Sequence, residues 1–112
     1  MRRANVYFRD WKAGVLEETD KGFRFTYDDE YLKNSPTQAI SLTFPPKKEP
    51  YESPAFFPFF EGMVPEGWYL DIVSRTLKVD PDDRFGLLIA SASHTIGAVT
   101  VRPMEDRGAN VL

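Results

Sequence analysis

The side chains able to do chemistry are few in this 112-residue chain, and they are badly spaced for catalysis. The one histidine, His94, lies in SASHTIG between an expected helix and an expected strand, and there is no cysteine. Nucleophilic hydrolysis needs a general base beside its serine or cysteine, so His94 in a polar loop reads as a surface or capping residue. Neither GxxxxGK[ST] nor GxGxxG occurs, which leaves no phosphate cradle. Asp80, Asp82 and Asp83 lack the ligand number and spacing of a zinc or EF-hand site and read as helix-capping groups. Glu17 with Glu18, and Asp28 with Asp29 and Glu30, fall in turn or strand-edge positions as solvated faces. These residues predict no catalytic site, no cofactor and no metal. A small hydrolase using a surface carboxylate would lack its nucleophile and base.

What remains is aromatic. The stretch FFPFFEGMVPEGW, residues 56–68, carries four phenylalanines and closes on Trp68. Phe56, Phe57, Phe59 and Phe60 are spaced so that one helix would bury most of them and leave at least one near the surface. Trp68 follows Pro65, Glu66 and Gly67, a turn or a first helical turn, from which a side chain projects off the end of an element. Tryptophan is enriched among residues that anchor protein interfaces. Two readings stay open: Trp68 packs beneath its helix with the indole N–H satisfied, or it is held out for another protein. Trp11, in the first hairpin turn, is a second candidate that could equally fold back on the sheet.

The elements that would hold this segment follow from periodicity. Residues 4–8 and 14–18 read as strands joined by the polar turn RDWKAG, and 22–27 (GFRFTY) alternates as a third. Gly22 supplies the positive φ that closes the second hairpin. DDEYLKNSP is one helical turn or a loop. AISLTF, 39–44, is expected as a fourth strand stopped by Pro45 and Pro46, with KKEPYESP a polar crossing after it. Ser53 and Pro54 predict a helix over 54–62, imperfect at Pro58. A second helix is expected from about Pro65 to Lys78, with Tyr69, Ile72, Val73, Thr76 and Leu77 on its apolar face. A third is expected with Asp80 as cap, Pro81 at its first position, and Phe85, Leu88, Ile89 and Ala92 facing inward. TIGAVTVRP, 95–103, predicts a closing strand. The order excludes regular βαβ alternation and predicts an α+β domain: a small curled, barrel-like antiparallel sheet of about five strands capped by two to three helices. It spans residues 1–103, with 104–112 as a flexible tail.

Composition agrees with a folded domain. Apolar residues make up 42% and aromatics 14%, enough for a core at this length. Fourteen basic residues against seventeen acidic ones leave a net charge of -3, which disfavours nucleic acid and anionic membranes as direct partners. Aromatics beside Lys or Arg could stack RNA bases, but the acidic balance counts against it. No signal-peptide run or stretch of about 18 apolar residues occurs, and with no cysteines a cytoplasmic address is expected.

Across nearly its whole length the chain resembles the N-terminal subdomain of HipA, the serine/threonine kinase toxin of bacterial toxin–antitoxin systems. The resemblance is carried by Gly14-Val15-Leu16, AISLTFP, SPAFFPFFEGMVPEGW, the pattern Asp83, Arg84, Phe85, Leu87, Leu88, and Gly97-Ala98-Val99 with Pro103. HipA kinases continue into an ATP-binding catalytic core, whose serine loop, catalytic-loop aspartate and metal-binding aspartate have no counterpart here. The stop at residue 112 resembles the free-standing HipS proteins of three-component HipBST systems, where HipT is a shortened kinase and HipB the DNA-binding protein. The resemblance implies a non-enzymatic antitoxin that inhibits a HipT/HipA-like kinase in trans, in a ternary complex with a HipB-like helix-turn-helix protein. Trp68 would be presented at the kinase cleft, with Pro65, Glu66 and Gly67 fixing its turn and Met63 and Phe60 beneath. The alternative is a packing subdomain of a longer HipA kinase that contacts a HipB-like protein.

Overall fold

Phe25 and Tyr27 alternate with Arg24 and Thr26 along GFRFTY, and that alternation sets one face of a sheet toward the core. The computed structural model describes residues 1–64, 70, 72, 74–76, 78–90, 95–96 and 98–103. Strands β1 (Arg3–Phe8), β2 (Trp11–Thr19) and β3 (Gly22–Tyr27) form an antiparallel meander. Helix α1 (Asp29–Asn34) follows, resolving the open reading of DDEYLKNSP, and then β4 (Tyr51–Ser53), α2 (Pro58–Glu61), α3 (Arg84–Ala90), β5 (Thr95–Ile96) and β6 (Val99–Pro103). The sheet has six strands in the order β4-β3-β2-β1-β6-β5, and every neighbouring pair is antiparallel. This is the expected α+β antiparallel architecture, with one strand more than expected.

The first turn is tighter than RDWKAG implied. Phe8 pairs with Trp11, so only Arg9 and Asp10 turn, and Arg9 takes the left-handed conformation at φ 56°. The register of β1 against β2 shifts between Val6 and Tyr7, leaving Ala13 as an extra residue on β2; this bulge buries Ala13 and Gly14 together. At the second turn Gly22 adopts φ 142°, as its hairpin position requires. A Cβ there would also stand 2.2 Å from the Ser53 carbonyl oxygen, so β4 can close on β3 only over glycine.

Four expectations are corrected. AISLTF is not a strand: Ile40 and Phe44 are buried as alternation requires, but the backbone between them turns, and β4 lies instead in the proline-bearing crossing at Tyr51–Ser53. The phenylalanine helix begins four residues late, because Pro54 follows a strand end while Pro58 supplies the pre-set φ of a first helical turn. The third helix begins at Arg84, with Asp83 and not Asp80 as its cap: Asp83 Oδ1 accepts the Gly86 amide at 3.0 Å, and Asp80 instead closes the preceding turn through the Asp82 amide at 2.9 Å. TIGAVTVRP is a β5–β6 hairpin, Thr95 pairing with Thr100.

Of the expected second helix, Leu70, Ile72 and Ser74–Thr76 are helical, and its start lies outside the described residues. Of the expected apolar face, Tyr69, Val73 and Leu77 lie outside the described residues, and the two that are described differ from expectation. Ser74 is buried and Leu70 packs on the core, whereas Ile72 is 45% exposed and Thr76 is exposed too. The helix ends as Lys78 turns left-handed at φ 57° and the Val79 amide reaches back to the Ser74 carbonyl at 3.0 Å.

One face of the sheet, with Ala4, Val6, Leu16, Phe25, Val99 and Val101, shares a core with Phe60 of α2 and Phe85, Leu87 and Leu88 of α3. Charge organises part of the other face: Arg24 reaches Glu52 at 3.0 Å and Glu17 at 3.7 Å, tying β2, β3 and β4 across one row. Among the described residues no helix is long and apolar enough to cross a membrane.

Candidate partner-binding site

The aromatic segment is built around Phe44. Its ring meets those of Phe25, Tyr51, Phe57, Phe59 and Phe60 at centroid separations of 5.1 to 6.1 Å, mostly edge to face. Phe57 and Phe60 are buried, while Phe56 and Phe59 are half-buried against the same core, the division that helical spacing implied. Helix α2 is short but well closed: the Glu61 and Gly62 amides bond the Phe57 and Pro58 carbonyls at 2.9 and 3.0 Å, and those of Met63 and Val64 bond Phe60 and Glu61 at 3.0 and 3.1 Å. Glu61 also lies 3.6 Å from Arg84, linking α2 to α3.

Of the six residues expected to meet a partner, the described structure places two. Phe60 is fully buried and Met63 nearly so, and both belong to the hydrophobic floor beneath the surface. Pro65, Glu66, Gly67 and Trp68 lie outside the described residues, as does His94. Trp11 is 61% exposed at the first hairpin, so of its two readings it does not fold back on the sheet.

A second feature beside this floor went unread in the sequence. The loop between α1 and β4 is held by three tyrosine hydroxyls, each donating to a backbone carbonyl: Tyr31 to Gln38 at 2.8 Å, Tyr27 to Phe44 and Tyr51 to Pro45. Tyr27 also accepts the Ile40 amide at 3.0 Å, so one hydroxyl clasps both ends of the 40–44 turn. Burial pushes the Tyr27 phenol up to about 12 and raises Tyr31 and Tyr51 as well. Inside the clasp the Phe44 amide bonds the Ser41 carbonyl at 3.0 Å, and the Ser41 and Thr43 hydroxyls meet at 3.0 Å. Leu42 stands at the apex, 98% exposed. Period-two alternation would put Leu42 on the same face as Ile40 and Phe44; the turn exposes it instead, because tyrosines, in place of a neighbouring strand, satisfy the backbone.

The other electrostatic centre is structural. Arg2 forks onto both Asp83 oxygens at 2.8 Å and onto Glu18 at 2.7 and 3.0 Å, with its guanidinium over the Phe85 ring. Hydrogen bonds from Arg2 hold both carboxyls below their ordinary range, and the two carboxylates in turn raise Arg2.

An antiparallel sheet covered on one face by short helices around an aromatic cluster defines a small α+β domain. Three comparisons make this specific. The family model of the HipA N-terminal domain matches residues 4–102. The solved "N-terminal domain of HipA toxin" superposes with a TM-score of 0.71 at 30% identity, covering 96% of each chain. An uncharacterized protein of Haemophilus influenzae is 31% identical over 102 residues, covering 91% of this chain and 92% of that one. The Sinorhizobium fredii protein named "Putative kinase Y4mE" is 29% identical over 106 residues, covering 94% of this chain but 25% of its own length. The chain belongs to the HipA N-terminal domain family.

Proposed function

We propose that this chain is an antitoxin-type protein that binds a HipT/HipA-like serine/threonine kinase in trans and holds it inactive, with Trp68 presented at the kinase cleft. The observation that carries the reading is that the same unit makes up most of the Haemophilus protein and only a quarter of the Sinorhizobium one. A domain that recurs both nearly alone and joined to a longer kinase-named chain has a surface complementary to that longer body. The buried Phe60 and Met63 support the reading, because the hydrogen-bonded turn that leaves α2 at Met63 and Val64 gives the residues that follow a fixed point of departure. The chain contributes no catalytic group, and a HipB-like helix-turn-helix protein completes a ternary complex in the cytoplasm, touching DNA in place of this chain.

The Sinorhizobium match also favours a second reading, a packing subdomain of a longer HipA kinase that contacts a HipB-like protein. A kinase assay separates the two. Purified chain added to a HipT-like kinase lowers phosphorylation, and Trp68→Ala weakens that inhibition about thirty-fold, the scale of a 2 kcal/mol hot spot. Unchanged phosphorylation with a folded wild-type chain would overturn the inhibitor reading. Equal inhibition by both forms would remove Trp68 from it.

A further inference from the structure

Leu42 has no structural reason to be leucine. Turn positions favour Gly, Asn, Asp or Ser, and a fully exposed aliphatic side chain gains nothing from folding. Yet this turn is held at both ends: the Tyr27 hydroxyl spans Ile40 to Phe44, the Ser41 carbonyl takes the Phe44 amide, and Leu42 projects from the middle. An apolar side chain on a pre-ordered turn is the arrangement that binds with little ordering cost. A single exposed leucine on a mobile loop would mean nothing; the clasp is what distinguishes this one.

Position adds a second argument. Phe44, two residues on, packs directly on Phe57, Phe59 and Phe60, the segment that runs through Met63 into residues 65–68. The Leu42 turn and the chain leaving α2 at Met63 therefore grow from one aromatic cluster. We infer that Leu42 is a second anchor for the kinase partner, seated in an apolar recess of that protein's catalytic body. The occupant is argued from the Sinorhizobium relative, in which three quarters of the polypeptide lies beyond the matched unit and supplies a body for it to pack against. The inference rests on the kinase-binding reading above and deepens it.

The test is equilibrium binding of the HipT-like kinase to the full chain, to Leu42→Asp and to Leu42→Ala, with thermal melts of all three. Because Leu42 buries nothing in the isolated chain, both variants melt within about a degree of wild type. Leu42→Asp weakens binding about tenfold or more and Leu42→Ala by less, as an apolar anchor requires. If wild type binds and Leu42→Asp binds equally well, the anchor is refuted while kinase binding stands. If wild type itself does not bind, the kinase reading fails, and this inference with it. Sedimentation completes the experiment: self-association of wild type that Leu42→Asp abolishes would assign the leucine to a second copy of this chain and overturn the proposal.

Discussion

Tyr27 shows how much one polar atom can organise. Its hydroxyl is buried, donates to the Phe44 carbonyl and accepts the Ile40 amide, so removing it strands both backbone groups in an apolar setting. Tyr27→Phe is therefore expected to lower stability by about 1–3 kcal/mol, read by urea unfolding. The same residue gives an alkaline signature. Burial raises its folded-state pKa to about 12, against an ordinary phenol near 10. A raised folded value means that the contribution is complete below the unfolded pKa and is lost as pH climbs from about 10 to about 12. The stability gap between wild type and Tyr27→Phe should shrink over that range. A gap independent of pH would show that the phenol is not shielded.

Among the elements, the β2–β3 hairpin and the β4 edge depend on each other through Gly22. Its positive φ closes the turn between Thr19 and Gly22, and its missing side chain lets the Ser53 carbonyl and Pro54 come close. Gly22→Ala meets both constraints together, a backbone conformation that L residues rarely adopt and a 2.2 Å clash with main chain. The expected cost is at least about 1–3 kcal/mol, measured by thermal unfolding, with amides of Phe23 and Phe25 losing hydrogen-exchange protection first. Loss of protection confined to the turn would mean that β4 pairs independently. Periodicity found this hairpin because both its strands and its turn chemistry are local. It misplaced β4 because a three-residue strand between Pro50 and Pro54 carries too little alternation to read.

At the scale of the molecule, Arg2 joins the N-terminus to the start of α3 across 81 positions of sequence. Its guanidinium holds Glu18 on β2 and the Asp83 cap at once, and Gly86 leaves room for it, since a Cβ there would stand 2.3 Å from the Asp83 carboxylate. The three side chains are partly solvated, so the effect is modest at high salt. Its sign is definite. Both carboxyls have depressed folded-state pKa values, so their contribution is present above the ordinary carboxylate range of about 4 and is lost as pH falls through the lower folded values. Arg2→Met should lower the melting temperature at neutral pH and match wild type in strong acid. A difference that persists in acid would assign the effect to packing on Phe85.

The sequence by itself determined the antiparallel α+β class, the first three strands and the burial of Phe85 and Leu88 on α3, because two- and 3.6-residue periods and a turn glycine are local signals. It missed Leu87, which is fully buried, and Ala92 lies outside the described residues. It also implied that most of Phe56, Phe57, Phe59 and Phe60 would be buried and at least one left near the surface, without saying which. Only the tertiary structure decided that AISLTF would be a clasped turn. That outcome depended on Tyr27, Tyr31 and Tyr51 arriving from α1 and two strands to satisfy its carbonyls, a convergence no window of sequence contains. The same holds for Asp83 over Asp80 as helix cap. Either aspartate suits the local pattern, and the bidentate Arg2 from the far end of the chain sits on the one that caps α3.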